Sequence, residues 1–153
     1  MIVTLIIGID PGKSGTAVFL SSSGRVDEIA RFKDGFGYFI EALRNLDLSQ
    51  NIFVFLEKVH AMPGQGVVSM FTFGEKVGVV KGALAAFKIS YIEVAPQIWQ
   101  RELGLYIPNL TYVERKRRLK EKAQELFPDT KVTADVADAL LIAEYGRRQI
   151  NGT

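Results

Sequence analysis

The stretch IVTLIIGIDPGKSG, residues 2–15, decides how the rest of the chain is read. Residues 2–9 are apolar almost without a break and rich in β-branched side chains, the pattern of a strand buried on both faces. An acid, Asp10, ends the run, and Pro11-Gly12-Lys13-Ser14-Gly15 supplies a turn. No basic segment precedes the apolar run, and the turn follows it at once. It therefore reads as a strand and not as a secretory leader.

Working outward, residues 16–20 form a second apolar run, residues 21–24 a Ser/Gly turn, and residues 25–32 a third, alternating run. Three strands with short links predict an antiparallel meander. Apolar residues at 36, 39, 40, 43 and 46 have helical spacing, and a further buried-strand run, 52–56, ends in Glu57. A helix between two buried strands implies a right-handed parallel crossover. Parallel pairing would bring Asp10 and Glu57 to one edge of the sheet, where open α/β sheets place their ligands.

Beyond a loop at 60–68, the spacing predicts a helix over 69–87 with Gly74, Gly78 and Gly82 along one face. Each glycine costs a helix up to ~1 kcal/mol relative to alanine. Close approach of another backbone, from this chain's sheet or from a second subunit, would offset that cost. A short strand at 91–94 precedes Pro96, well placed to start a helix over 97–103. Thr111 and Glu114 have capping-box spacing and open a basic helix that ends before Pro128. Thr133 is the expected cap of a last helix, from 134 to about 148. The expectation is an α/β fold in a single domain over 1–153. Its sheet is five-stranded and mixed, a three-strand antiparallel meander plus two parallel strands, with helices on both faces.

Composition sets outer bounds. A chain of 153 residues with 48% hydrophobic residues can bury a sizeable core. The absence of cysteine excludes disulfides, thiol nucleophiles and cysteine-ligated zinc, and is compatible with a cytoplasmic location. No apolar stretch approaches the ~20 residues that span a membrane. The net charge of +2 says little, but Arg115, Lys116, Arg117, Arg118, Lys120 and Lys122 outnumber Glu114 and Glu121 on the basic helix. That excess makes a candidate phosphate-facing surface, or else a solvated helix face.

Chemistry gathers on four acids. Asp10 and Glu57 end the two inner strands, and Asp135 and Asp138 stand three apart at the start of the last helix. If that helix end lies over the strands, four carboxylates meet, and such a cluster repels itself unless cations sit in it. Hard oxygen ligands suit Mg²⁺ or Mn²⁺, and two such ions held by carboxylates can hydrolyse phosphodiesters. For Asp135 and Asp138 alone, ordinary N-terminal acids on a helix dipole would suffice. That account does not reach Asp10 and Glu57.

The element order is that of the ribonuclease-H-like fold, and the motifs make it sharper. Gly8-Ile9-Asp10-Pro11-Gly12, Leu56-Glu57-Lys58-Val59, Phe73-Gly74-Glu75-Lys76-Val77-Gly78 and Ala134-Asp135-Val136-Ala137-Asp138-Ala139-Leu140 stand in order along the chain. In these the chain resembles the RuvC family of Holliday-junction resolvases. The resemblance implies a homodimeric, Mg²⁺-dependent endonuclease that nicks four-way DNA junctions, with two ions per site and Mn²⁺ able to substitute. It gives Asp10 a bridging role between the ions, Glu57 and Asp138 one ion each, and Asp135 an assisting role. The glycine-bearing helix (Gly74, Gly78, Gly82) would carry the dimer interface.

Other residues have two readings each. Lys13 and Ser14 could touch a phosphate or lie in an exposed turn. His60, the one histidine, stands where the family usually has an aromatic proposed to stack on a junction base; it could stack, reach a phosphate, or be a plain loop residue. Lys76 and Lys81 could reach DNA near the dimer axis or be exposed helix lysines. Arg115, Lys116, Arg117, Arg118 and Lys120 are the basic-helix candidates for DNA. Trp99 reads as core. Rival functions are a YqgF-like nuclease acting on RNA and a junction-binding protein without catalysis. Residues 10–15 also resemble the phosphate loop of actin-like kinases, but those need two such domains, so no nucleotide cofactor is expected. If the gene is viral, the expected location is the host cytoplasm.

Overall fold

The computed structural model describes residues 2–152. Its sheet has the order β3-β2-β1-β4-β5. The strands are β1 (Thr4–Asp10), β2 (Thr16–Ser21), β3 (Val26–Arg31), β4 (Asn51–Glu57) and β5 (Ile92–Val94). The first three form the expected antiparallel meander, and β4 and β5 add in parallel beside β1. The helices are α1 (Gly37–Arg44), α2 (Val67–Ala86), α3 (Pro96–Glu102), α4 (Tyr112–Leu126) and α5 (Ala134–Asn151). A 3₁₀ turn at Phe32–Asp34, absent from the sequence expectation, links the meander to α1.

The alternation of β1 separates two cores. Leu5, Ile7 and Ile9 join Ala17, Phe19, Val54 and Leu56 in a cluster with Phe39 and Leu43 of α1 and Val80 and Leu84 of α2. Ile6 joins Val18, Leu20 and Phe55 in a cluster with Trp99 of α3, Leu119 and Ala123 of α4, and the buried face of α5. Side chains alternate along a strand. Asp10, in step with Ile6 and Gly8, and Glu57, in step with Phe53 and Phe55, therefore fall on the α5 side.

Gly8 sets how close α5 comes. A Cβ built on Gly8 would lie 2.4 Å from the Ala143 nitrogen and 2.5 Å from the Ala139 oxygen. Gly146 repeats the device from the helix side, where a Cβ would lie 2.4 Å from Phe55 Cδ2. Helix and sheet thus touch backbone to side chain at Gly146 and backbone to backbone at Gly8. Ten residues of α5 are buried, among them Asp138 and Glu144.

Helix α2 behaves differently. It begins at Val67, two residues earlier than the spacing predicts, and only Val80 and Leu84 are buried. A Cβ on Gly74, Gly78 or Gly82 would meet nothing within 4 Å. The glycine face therefore does not serve packing against this chain's own sheet. The capping box of Thr111 and Glu114 is present at α4. Thr133 occupies the N-cap position of α5 but accepts no backbone hydrogen bond there. Its hydroxyl donates instead to Asp135 Oδ1.

Candidate active site

The parallel register pairs Ile9 with Leu56, which sets Asp10 level with Glu57 at the C-terminal edge. The turn after Asp10 is tight: Gly15 N–H donates to the Gly12 carbonyl, and Gly12 N–H donates to Asp10 Oδ1, both at 2.9 Å. A Cβ on Gly15 would lie 2.3 Å from the Asp10 backbone carbonyl oxygen, so only glycine fits there. Thr16 Oγ1 donates to the Asp135 carbonyl at 2.6 Å and ties the start of α5 to the same edge. Asp138, one helical turn on, is thereby brought over the strands and buried.

Asp10, Glu57, Asp135 and Asp138 all line one cleft of about 1070 Å³. Three of them interact. Burial, then the charge of Asp138, pushes the Asp10 carboxyl up to about 6, against the Gly12 hydrogen bond and Lys116. Burial, then the charges of Asp10 and Asp138, pushes Glu57 up to about 8, against Trp99 and Lys116. Trp99 Nε1–H donates to Glu57 Oε2 at 2.9 Å. Lys116 Nζ pairs with Asp138 Oδ2 at 2.5 Å. Burial opposes the charge of Lys116, but Asp138 and Asp10 outweigh it and hold the ammonium protonated.

Asp135 lines the cleft with its carboxylate otherwise engaged. Oδ1 accepts from Thr133, and Oδ2 lies 3.3 Å from Arg31 Nε and 3.5 Å from Lys33 Nζ. Burial works against its charge, but Thr133, Lys33 and Arg31 more than compensate, so its carboxyl sits below the ordinary range. Asp135 is thus already neutralised, while Asp10, Glu57 and Asp138 share one ammonium.

That imbalance fits a hard divalent cation. The donors are all carboxylate oxygens, which suit Mg²⁺ or Mn²⁺. Asp138 Oδ1 is buried without a hydrogen-bond partner. The Asp10 and Glu57 carboxyls are raised by burial first and by their acidic neighbours second, and a bound cation would relieve both. Among the described residues, no three metal-ligating side chains stand at coordination geometry.

The expected DNA contacts divide. Lys13, Ser14 and His60 are exposed on the rim, and Arg115 and Lys116 line the wall. Lys116, expected on a phosphate-facing surface, instead reaches inward to Asp138. Lys76 donates to the Lys13 carbonyl at 3.0 Å, and Lys81 pairs with Glu93 at 2.8 Å; neither lines the cleft. Arg118 donates to the Leu105 and Gly104 carbonyls at 3.4 and 3.3 Å, bracing the loop before α4. Arg117 lines a smaller recess with Glu114 and Glu121, and Lys120 is exposed.

Sequence reasoning missed four contributors. Lys33 and Lys58 add charge to the cleft; nothing in its local sequence marks Lys33, whereas the position of Lys58 next to Glu57 was the available signal. Tyr106 and Tyr112 line it too, Tyr106 with Arg101 4.5 Å from its ring centroid and Tyr112 with Arg115 at 5.7 Å. Trp99 was legible as core, and its indole N–H, which needs an acceptor when buried, was the signal for Glu57.

No family model matches the sequence, and no curated protein matches it. Solved structures do match. Thermus thermophilus RuvC superposes with a TM-score of 0.63 at 16% identity, over 97% of each chain. Thermus thermophilus RuvC in complex with a Holliday junction substrate gives 0.67 at 16% identity, over 98% of this chain and 97% of that one. The fowlpox virus Holliday junction resolvase gives 0.53 at 14% identity, over 95% and 99%. The class defined is the ribonuclease-H-like fold. Within it, this chain has the fold of RuvC and of the poxvirus resolvase along nearly its whole length.

Proposed function

We propose that the protein is a divalent-cation-dependent DNA endonuclease that resolves four-way junctions. The observation that carries this is the meeting of half-buried Asp10 and Glu57 with buried Asp138 at one sheet edge, opening into a cleft with a basic rim. Asp10, Glu57 and Asp138 would hold the cations, with Asp135 assisting from the same cleft. When bound, Mg²⁺ supplies Lewis acidity and an activated water for phosphodiester hydrolysis.

The chain's own groups do the rest. Strands β1 and β4 fix Asp10 and Glu57 on rigid backbone, and α5 fixes Asp138. Lys116 keeps positive charge beside Asp138 and Asp10, where a scissile phosphate would add negative charge. Lys13, Ser14, His60, Arg115 and Lys58 surround the mouth and suit a phosphate backbone. Exposed Tyr112 and His60 offer faces for an unpaired base.

The working form is a homodimer through α2. Val67, Val68 and Phe71 are 85%, 79% and 69% exposed, beside the open face of Gly74, Gly78 and Gly82. Such an apolar face on an outer helix suits a second copy. A two-fold dimer supplies two sites for two symmetric nicks.

The test is a labelled four-way junction incubated with pure protein, with and without Mg²⁺. Paired nicks that need Mg²⁺ and disappear in Asp10→Asn, with junction binding retained, are expected. Cutting by Asp10→Asn at the wild-type rate would refute the site.

A further inference from the structure

Trp99 is the chain's one tryptophan and is fully buried. It stands on α3, the short helix that Pro96 starts immediately after β5. Its ring belongs to the core layer that also holds Leu103, Leu119 and Leu140. A phenylalanine or leucine could fill a core position without any polar demand. An indole brings an N–H that must find an acceptor. Here the acceptor is Glu57 Oε2, at 2.9 Å. Among the described residues no other hydrogen bond reaches the Glu57 carboxylate.

The consequence for Glu57 is geometric. Oε2 is held by a donor that is itself locked in the core, and Oε1 alone carries no protein hydrogen bond. We propose that Trp99 is the positioning residue of the metal centre, fixing Glu57 to offer one oxygen and so favouring Mg²⁺ or Mn²⁺ over Ca²⁺. This rests on the metal-dependent reading given above. Mg²⁺ demands a near-octahedral shell of single oxygens, whereas Ca²⁺ accepts carboxylates in bidentate fashion and in looser arrangements. A donor on Oε2 uses one of that oxygen's two lone pairs and fixes the carboxylate plane, which disfavours the second mode. Outer-shell partners of this kind commonly change metal affinity or activity by ~10–100-fold when removed.

One tryptophan gives one indole signal, so the contact can be followed without any variant. In a ¹H–¹⁵N spectrum of the wild-type protein, the indole cross-peak should move on titration with Mg²⁺. Glu57→Gln, which keeps an acceptor for the indole, should abolish the movement.

The second arm replaces Trp99 by benzothienylalanine, an isostere with sulfur in place of N–H, alongside Trp99→Phe. Circular dichroism checks that each is folded, and calorimetry reads Mn²⁺ and Ca²⁺ affinity without DNA. The isostere should lose ~10–100-fold in Mn²⁺ affinity and much less in Ca²⁺ affinity. An unchanged Mn²⁺ affinity, or equal losses for both ions, overturns the proposal and leaves Trp99 as packing. If Trp99→Phe unfolds, the isostere and the wild-type indole titration still decide. A wild type that binds Mn²⁺ and nicks junctions with a stationary indole peak overturns only this inference. A wild type that binds no Mn²⁺ and nicks nothing overturns the nuclease reading as well.

Discussion

Replacing Gly8 by alanine tests whether helix-to-strand contact sets the site. The added methyl would sit 2.4, 2.5 and 2.7 Å from Ala143 N, Ala139 O and Ala143 Cα. Ordinary carbon contacts lie near 3.5–4.0 Å, so α5 must retreat by roughly 1 Å. The obstructing atoms are helix backbone and cannot swing aside as a side-chain tip would. Overpacking of a tight core costs about 1–3 kcal/mol and occasionally more. Removing a glycine's unfolded-state freedom returns about 0.4–1 kcal/mol. The net expectation is a loss of about 1–2 kcal/mol, or ~2–8 °C in Tm for a chain of this size. Activity should suffer more than stability, because α5 carries Asp138, and a ~1 Å misplacement at a reacting centre can cost ~100-fold. Urea unfolding followed by circular dichroism gives the first number and junction nicking the second. Gly37→Ala is the control, since a Cβ there meets nothing within 4 Å. It should stay within about 0.5 kcal/mol of wild type. A Gly8→Ala protein within about 0.5 kcal/mol of wild type would refute the argument.

Three further outcomes follow from the site and its flanks. The Glu57 carboxyl is raised to about 8 by burial and its acidic neighbours, so the folded state holds a proton that the unfolded state releases near pH 4.5. The stability Glu57 contributes is therefore present below its unfolded pKa and lost as pH rises through about 8. In EDTA, Glu57→Gln should gain on wild type as pH rises from 5 to ~9 and plateau above; a pH-independent difference in urea midpoints would contradict this. Arg115→Ala, at the cleft wall, should lower the salt slope of junction binding by about 1, and Arg117→Ala, outside the cleft, should change it less. Arg118→Ala, which loses two carbonyl contacts, should lower Tm and leave the slope in place. Gly78→Leu should shift sedimentation toward monomer and reduce paired nicking more than single nicking. A wild type that stays monomeric on junction DNA would remove the dimer mechanism.

How much was legible depended on where each partner lies in the chain. The continuous apolar runs that end in Asp10 and Glu57 are local, and with the parallel crossover between them they sufficed to place the two acids on one edge. The capping box at Thr111 is likewise a four-residue pattern and formed as expected. Thr133 matched a local cap pattern, but Asp135 competes for its hydroxyl. Asp135 shared a helical face with Asp138 in sequence, yet Arg31 and Lys33, a hundred residues away, claim its carboxylate. The role of Gly8 was hidden for the same reason, because its neighbours Ala139 and Ala143 come from the other end of the chain. The three glycines of α2 were conspicuous by spacing, and the structure removed one of their two readings by leaving that face open.

The contact between Lys76 and the Lys13 carbonyl has a mechanical meaning. Lys13 lies in the turn that follows Asp10, and Lys76 lies midway along α2. A second strut, Lys81 to Glu93, fastens the same helix to β5. If α2 is the seam between two copies, these struts work as a caliper. They hold each catalytic turn at a set span from the symmetry axis, so the distance between the two cuts is built into one helix.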